Sequence, residues 1–84
     1  MKFTVVWTPA AERDLAAIWI HSGDRNMVSS AANRIDRALR DNANRIGEII
    51  FDSVRTMFVD PLGVDFDVSE LDRLVYVLSV WKAG

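Results

Sequence analysis

The chain has 84 residues, of which half are hydrophobic, 12 are acidic, 10 are basic and none is cysteine. This length supports one hydrophobic core, so we expect a single domain over residues 1–84. A net charge of −2 and the lack of cysteine argue against a strongly basic nucleic-acid binder, a disulfide scaffold and a thiolate metal site. No stretch is typical of a transmembrane helix or a signal segment, which predicts a cytoplasmic protein without a membrane partner.

The first half of the sequence predicts one strand followed by two helices. Residues 2–7 alternate in polarity and are rich in β-branched and aromatic types, which favours a strand. Thr8 is a good N-cap and Pro9 suits the first position of a helix, and helical spacing then continues to about residue 21. A second apolar stripe, with arginines on the remaining surface, predicts another helix over about 25–45.

From Glu48 onwards the hydrophobic period is that of strands. Residues 55–59, 62–69 and 73–81 predict three strands, with a bend at 60–61. The last strand is apolar at nearly every position, as expected for a central strand covered on both faces. Together these elements predict an α+β, two-layer β-α-α-β-β-β domain, with two helices packed on one face of an antiparallel sheet.

Two segments carry a resemblance to a known family. The first, Trp7 to Leu15, is a strand-to-helix opening, and the second runs from Asp60-Pro61-Leu62-Gly63-Val64 through the final strand to Trp81. Their order and spacing resemble the RelE/ParE superfamily of bacterial toxins from type II toxin–antitoxin systems, and the ParE-like members in particular. The resemblance implies a toxin domain whose partners are a cognate antitoxin or a second copy of the chain.

The same resemblance bears on activity. RelE-like members cleave mRNA on the ribosome with basic residues that stabilise charge on phosphate oxygens. Here their key arginine position falls at Gly63, the next outward residue is Asp65, and Lys82 matches a family lysine. Ala83 stands in the place of a catalytic arginine, and we expect no C-terminal catalytic tyrosine.

These departures favour a toxin that acts by binding a gyrase-like target or the translation machinery, so no catalytic residue is assigned. Two alternatives stay open: a ribosome-dependent endoribonuclease of RelE type and a binding domain that has lost its activity. The polar residues that we expect to contact a target are Arg55, Arg73, Tyr76 and Lys82.

Strict alternation along the last strand also predicts a surface for the antitoxin. It places Leu74, Tyr76, Leu78 and Val80 on one face, and Val75, Val77 and Trp81 on the other. Two helices can cover only one face, so the second set should form an apolar patch beside Asp65 and Asp67. We expect a partner segment that carries Lys or Arg to bind there.

No cofactor or metal is predicted. The sequence has no phosphate loop and no glycine-rich cofactor motif, and its acidic stretch from 65 to 72 lacks the ligand order of a calcium loop.

Overall fold

The computed structural model describes residues 2–83. Its elements follow the order β1 (Thr4–Trp7), α1 (Pro9–His21), α2 (Arg25–Asn42), β2 (Glu48–Phe51), β3 (Val54–Val59), β4 (Leu62–Ser69) and β5 (Leu74–Lys82). The predicted α+β architecture and the predicted order of elements are confirmed. The structure adds β2, a four-residue strand whose side chains are all exposed.

The junction between β1 and α1 forms as predicted. The Thr8 hydroxyl accepts a hydrogen bond from the backbone N–H of Ala11 (3.2 Å), and Pro9 lies in the first turn. The same hydroxyl donates to the carbonyl of Val77 at 2.7 Å. The cap therefore also fastens the start of α1 to the middle of β5.

Helix α2 supplies most of the helical part of the core. Its N-cap is Asp24, whose carboxylate accepts from the N–H of Met27 at 3.1 Å. The helix ends at Asn42, earlier than the predicted residue 45, and a turn leads to Gly47 in the left-handed region (φ 74°). The buried face of α2 comprises Val28, Ala31, Ala32, Ile35 and Leu39.

The sheet is mixed, with the strand order β1-β5-β4-β3-β2. The strands from β2 to β5 pair antiparallel with their neighbours, as predicted, whereas β1 runs parallel to β5, with Val5 opposite Val75. The predicted sheet was antiparallel throughout, because alternation identifies a strand but does not give its direction. Parallel strands need a long crossover connection, and the segment that contains α1 and α2 provides one after β1.

Both helices pack on one face of the sheet, and the core lies between the two layers. Phe66, Leu62 and Ile35 are among its largest fully buried side chains. Within residues 2–83, no helix is long and apolar enough to span a membrane. The opposite face of the sheet carries no helix of the described chain, and this leaves it open.

Candidate functional site

The side chains of the sheet that point away from the helices form the candidate site, which we call the open face. Cross-strand pairing aligns Thr56, Asp65 and Ser79 in one row and Phe58, Gly63 and Trp81 in the next. The open face consists of Thr4 and Val6 on β1, Glu48 and Phe51 on β2, Val54, Thr56 and Phe58 on β3, Gly63, Asp65, Asp67 and Ser69 on β4, and Leu74, Tyr76, Leu78, Ser79 and Trp81 on β5.

A β-bulge in β5 decides which residues reach this face. Phe66 pairs with Val77, but Asp65 pairs with Ser79, so Leu78 is the extra residue. Beyond the bulge, the carboxylate of Asp14 on α1 accepts a hydrogen bond from the backbone N–H of Val80 at 3.1 Å. The bulge reverses the alternation, so Val80 points into the core and Trp81 points outward.

The predicted division of β5 was therefore wrong for several residues. Val75 and Val77 were expected to bind the antitoxin, but they are fully buried beneath the helices. Trp81 does lie on the open face with Asp65 and Asp67, as predicted, but the bulge places it on the opposite face from Val75 and Val77. The predicted apolar patch beside the aspartates exists, but it is built from the other side of β5.

An aromatic cover lies at one end of the open face. The indole of Trp81 lies directly over Gly63, so that a Cβ at this glycine would come within 2.5 Å of Trp81 Cε2. The Phe58 ring meets the indole edge to face, with centroids 5.9 Å apart. The place to which the family resemblance assigns a basic side chain is therefore filled by a neighbouring indole.

Two carboxylates occupy the middle of the open face. Ser79 Oγ donates to Asp65 at 3.2 Å, and Ser53 Oγ donates to Asp67. None of the open-face residues defined above is Lys or Arg. The face therefore combines apolar side chains with negative charge, and none of its own residues is a cation that could neutralise that charge.

Two of the predicted target contacts lie off this face. Arg55 pairs with the buried Phe66, so it points to the helix side, where it donates to the carbonyl of Ile46 at 3.3 Å. Arg73 adopts the left-handed region (φ 55°) in the turn before β5, with its guanidinium 5.6 Å from the centre of the Phe3 ring.

The other two predicted contacts lie on β5. Tyr76 is on the open face and is 38% exposed. Lys82 is exposed at the far end of the strand, beside a hollow that it lines with the C-terminal part of α1. About 30 Å of extended chain separates residues 73 and 82. The structure therefore does not bring the four predicted contacts into one cluster.

A second surface was not anticipated from the sequence. An apolar groove of about 580 Å³ runs between α1 and α2. Trp19 is 40% exposed here and donates from Nε1 to Ser29 Oγ at 3.1 Å. The residues that line the groove are Glu12, Leu15, Ala16, Trp19, Ile20, Val28, Ser29, Ala32 and Asn33.

Comparison by sequence identifies no relative, because no sequence-defined protein family and no curated protein matches this chain. Comparison of structures does. A chain of the toxin–antitoxin complex RelBE2 from Mycobacterium tuberculosis superposes with a TM-score of 0.80 at 15% identity, over 98% of this chain and 99% of that one. A chain of the chromosomal ParDE toxin–antitoxin system from P. aeruginosa gives a TM-score of 0.74 at 19% identity, over 99% and 98%.

The isolated RelE toxin from E. coli matches with a TM-score of 0.64 at 17% identity, over 98% of this chain and 85% of that one. These identities are low, but the superpositions span nearly the whole of each chain. The chain therefore has the RelE/ParE toxin fold, as the resemblance in its sequence implied.

Proposed function

We propose that this protein is the toxin of a type II toxin–antitoxin system, that it acts by binding a cellular target, and that a cognate antitoxin neutralises it. Support for the toxin role comes from full-length structural likeness to chains of RelBE2 and ParDE, which are toxin–antitoxin complexes. The target that this proposal favours is gyrase-like or part of the translation machinery.

The observation that favours binding over RNA cleavage is the composition of the open face. Phosphoryl transfer needs fixed cations where charge develops on phosphate oxygens. Here the matching strand positions are Gly63, covered by the Trp81 indole, and Asp65. Carboxylates at this place repel an RNA backbone, so they disfavour the RelE type of reaction.

The test is inducible expression of the chain in a bacterial host without any antitoxin. We expect growth to stop and either plasmid supercoiling or protein synthesis to change, while mRNA stays intact. Supercoiling is measured on chloroquine gels, protein synthesis by amino-acid incorporation, and mRNA cleavage by primer extension. Cleavage of mRNA within codons would contradict the binding mechanism and support the endoribonuclease.

A matched control separates toxicity of the folded protein from the burden of expression. Val77→Asp places a carboxylate at a fully buried position, where an unpaired charge is strongly destabilising. This variant should be harmless at the same expression level. Normal growth of cells that express the folded parent chain would contradict the toxin role and leave a binding domain without toxic activity.

A further inference from the structure

We infer that the open face of the sheet is a docking surface for a cationic amphipathic helix of a partner protein. This inference goes beyond the proposed function, because it names the chemistry of the partner at this face and does not require the chain to be toxic.

The first argument is the exposure of apolar side chains on the open face. Phe58 is 63% exposed, and Tyr76, Leu78 and Val6 are each between 37% and 38% exposed. Val6 pairs with Tyr76 between β1 and β5, and Trp81 of β5 reaches over Gly63 of β4 to contact Phe58 of β3. The apolar side chains therefore form a connected surface and are not isolated residues. Contiguous apolar surface of this kind usually marks an interaction site.

The second argument identifies the occupant as a helix. The backbone groups of β3, β4 and β5 are engaged within the sheet, so a segment that lies across the open face gains no backbone hydrogen bond from it. A buried segment must nevertheless satisfy its own N–H and C=O groups. An α-helix does this internally, whereas an added strand would have to bind at a sheet edge.

The third argument is charge complementarity. Asp65 and Asp67 lie in the middle of the apolar surface, and the open-face strand positions include no Lys or Arg. Their positions are about 7 Å apart along β4. Residues four apart on a helix are separated by about 6 Å along its axis, so a Lys or Arg pair at that spacing meets both carboxylates.

The charge also discriminates against other occupants. A nucleic acid would place phosphates against two carboxylates, which is repulsive. A second copy docking through its own open face would bring four aspartates together. Like charges placed opposite each other oppose association, so a cationic partner is favoured over both.

The test uses a synthetic amphipathic peptide of about 18 residues, the helical length that matches the eight residues of β4. One face carries leucines and two lysines four residues apart. A matched peptide has glutamates in place of the lysines. Binding is measured by fluorescence anisotropy of labelled peptide, and its site is mapped by amide and indole chemical shifts.

We expect the lysine peptide to shift the signals of Phe58, Tyr76 and the Trp81 indole. The glutamate peptide should bind at least about tenfold more weakly. Asp65→Lys with Asp67→Lys should reverse the preference between the peptides. The double variant Asp65→Asn with Asp67→Asn should abolish the preference between the peptides. This variant tests the role of the two charges with less risk to folding.

The control is Glu12→Lys. Glu12 lines the groove between α1 and α2, which is the other place where an amphipathic helix could lie. This variant should keep the preference for the lysine peptide. The inference is overturned if Glu12→Lys removes that preference, if the shifts map to the groove, or if the lysine peptide does not bind. Tighter binding of a single-stranded RNA oligonucleotide at the open face would also overturn it, as would dimerisation through Trp81 at the concentrations used.

Discussion

The contact between Gly63 and Trp81 makes a quantitative prediction. In Gly63→Ala the new Cβ would lie 2.5, 2.6 and 2.7 Å from three atoms of the indole, whereas comfortable contacts need about 3.5–4.0 Å. The indole must therefore move by about 1 Å, which weakens its contact with Phe58. Overpacking of this kind costs about 1–3 kcal/mol.

The assay is a double-mutant cycle, in which thermal unfolding gives Tm and chemical denaturation gives the free energy of unfolding. Gly63→Ala alone should lower Tm by roughly 5–20 °C for a domain of this size. In the Trp81→Ala background the same substitution should be neutral or stabilise by up to about 1 kcal/mol, since alanine is preferred over glycine inside a strand. The coupling free energy should therefore be about 1–4 kcal/mol.

The matched control is Gly23→Ala. An added Cβ at Gly23 has no heavy atom within 4 Å, and this residue is not in the left-handed region. Its substitution should change stability by less than about 0.5 kcal/mol. An equal cost of Gly63→Ala with and without the indole would refute the reasoning, because the cost would then come from the backbone of β4 and not from Trp81.

Three further predictions concern other parts of the fold. Asp14→Ala should destabilise by about 1–3 kcal/mol and speed amide exchange at Val80, whose N–H loses its acceptor. Gly47→Ala should cost more than about 1 kcal/mol in denaturation experiments, since φ is 74° and its Cβ would meet the Thr56 carbonyl at 2.5 Å. The hydrogen bond from Lys2 lowers the pKa of the Asp41 carboxyl. Lys2→Ala should raise that pKa in an NMR titration, and the stability difference from the parent chain should disappear as pH falls through the lowered pKa.

The bulge in β5 explains why Gly63, the position to which the resemblance assigns an arginine, is covered by an indole in this chain. Without the bulge, Trp81 would point into the core and Gly63 would be uncovered on the open face. With the bulge, the indole fills that place. Replacing Gly63 with Arg would therefore not restore a cation pointing away from the sheet unless Trp81 also moved.

The sequence by itself determined where several helices and strands form and the order in which they follow one another, because these features depend on local chemistry. Thr8 and Pro9 begin α1 because a hydroxyl acceptor and a fixed φ act within one turn. The apolar stripe of α2 and the alternation of β4 likewise identify their elements, because each follows the period of its own backbone. The order of these elements was enough to predict the fold and its likeness to RelE/ParE toxins.

Tertiary structure decided which face of β5 is covered, because that depends on a bulge stabilised by contact with Asp14, 66 residues away along the chain. A strand with apolar residues at nearly every position gives no local signal of which side faces the helices or where the register shifts. For the same reason the sequence could not show that Val77 is core, that Trp81 covers Gly63, or that β1 runs parallel to β5. Each of these depends on pairing between distant segments, which local periodicity does not record.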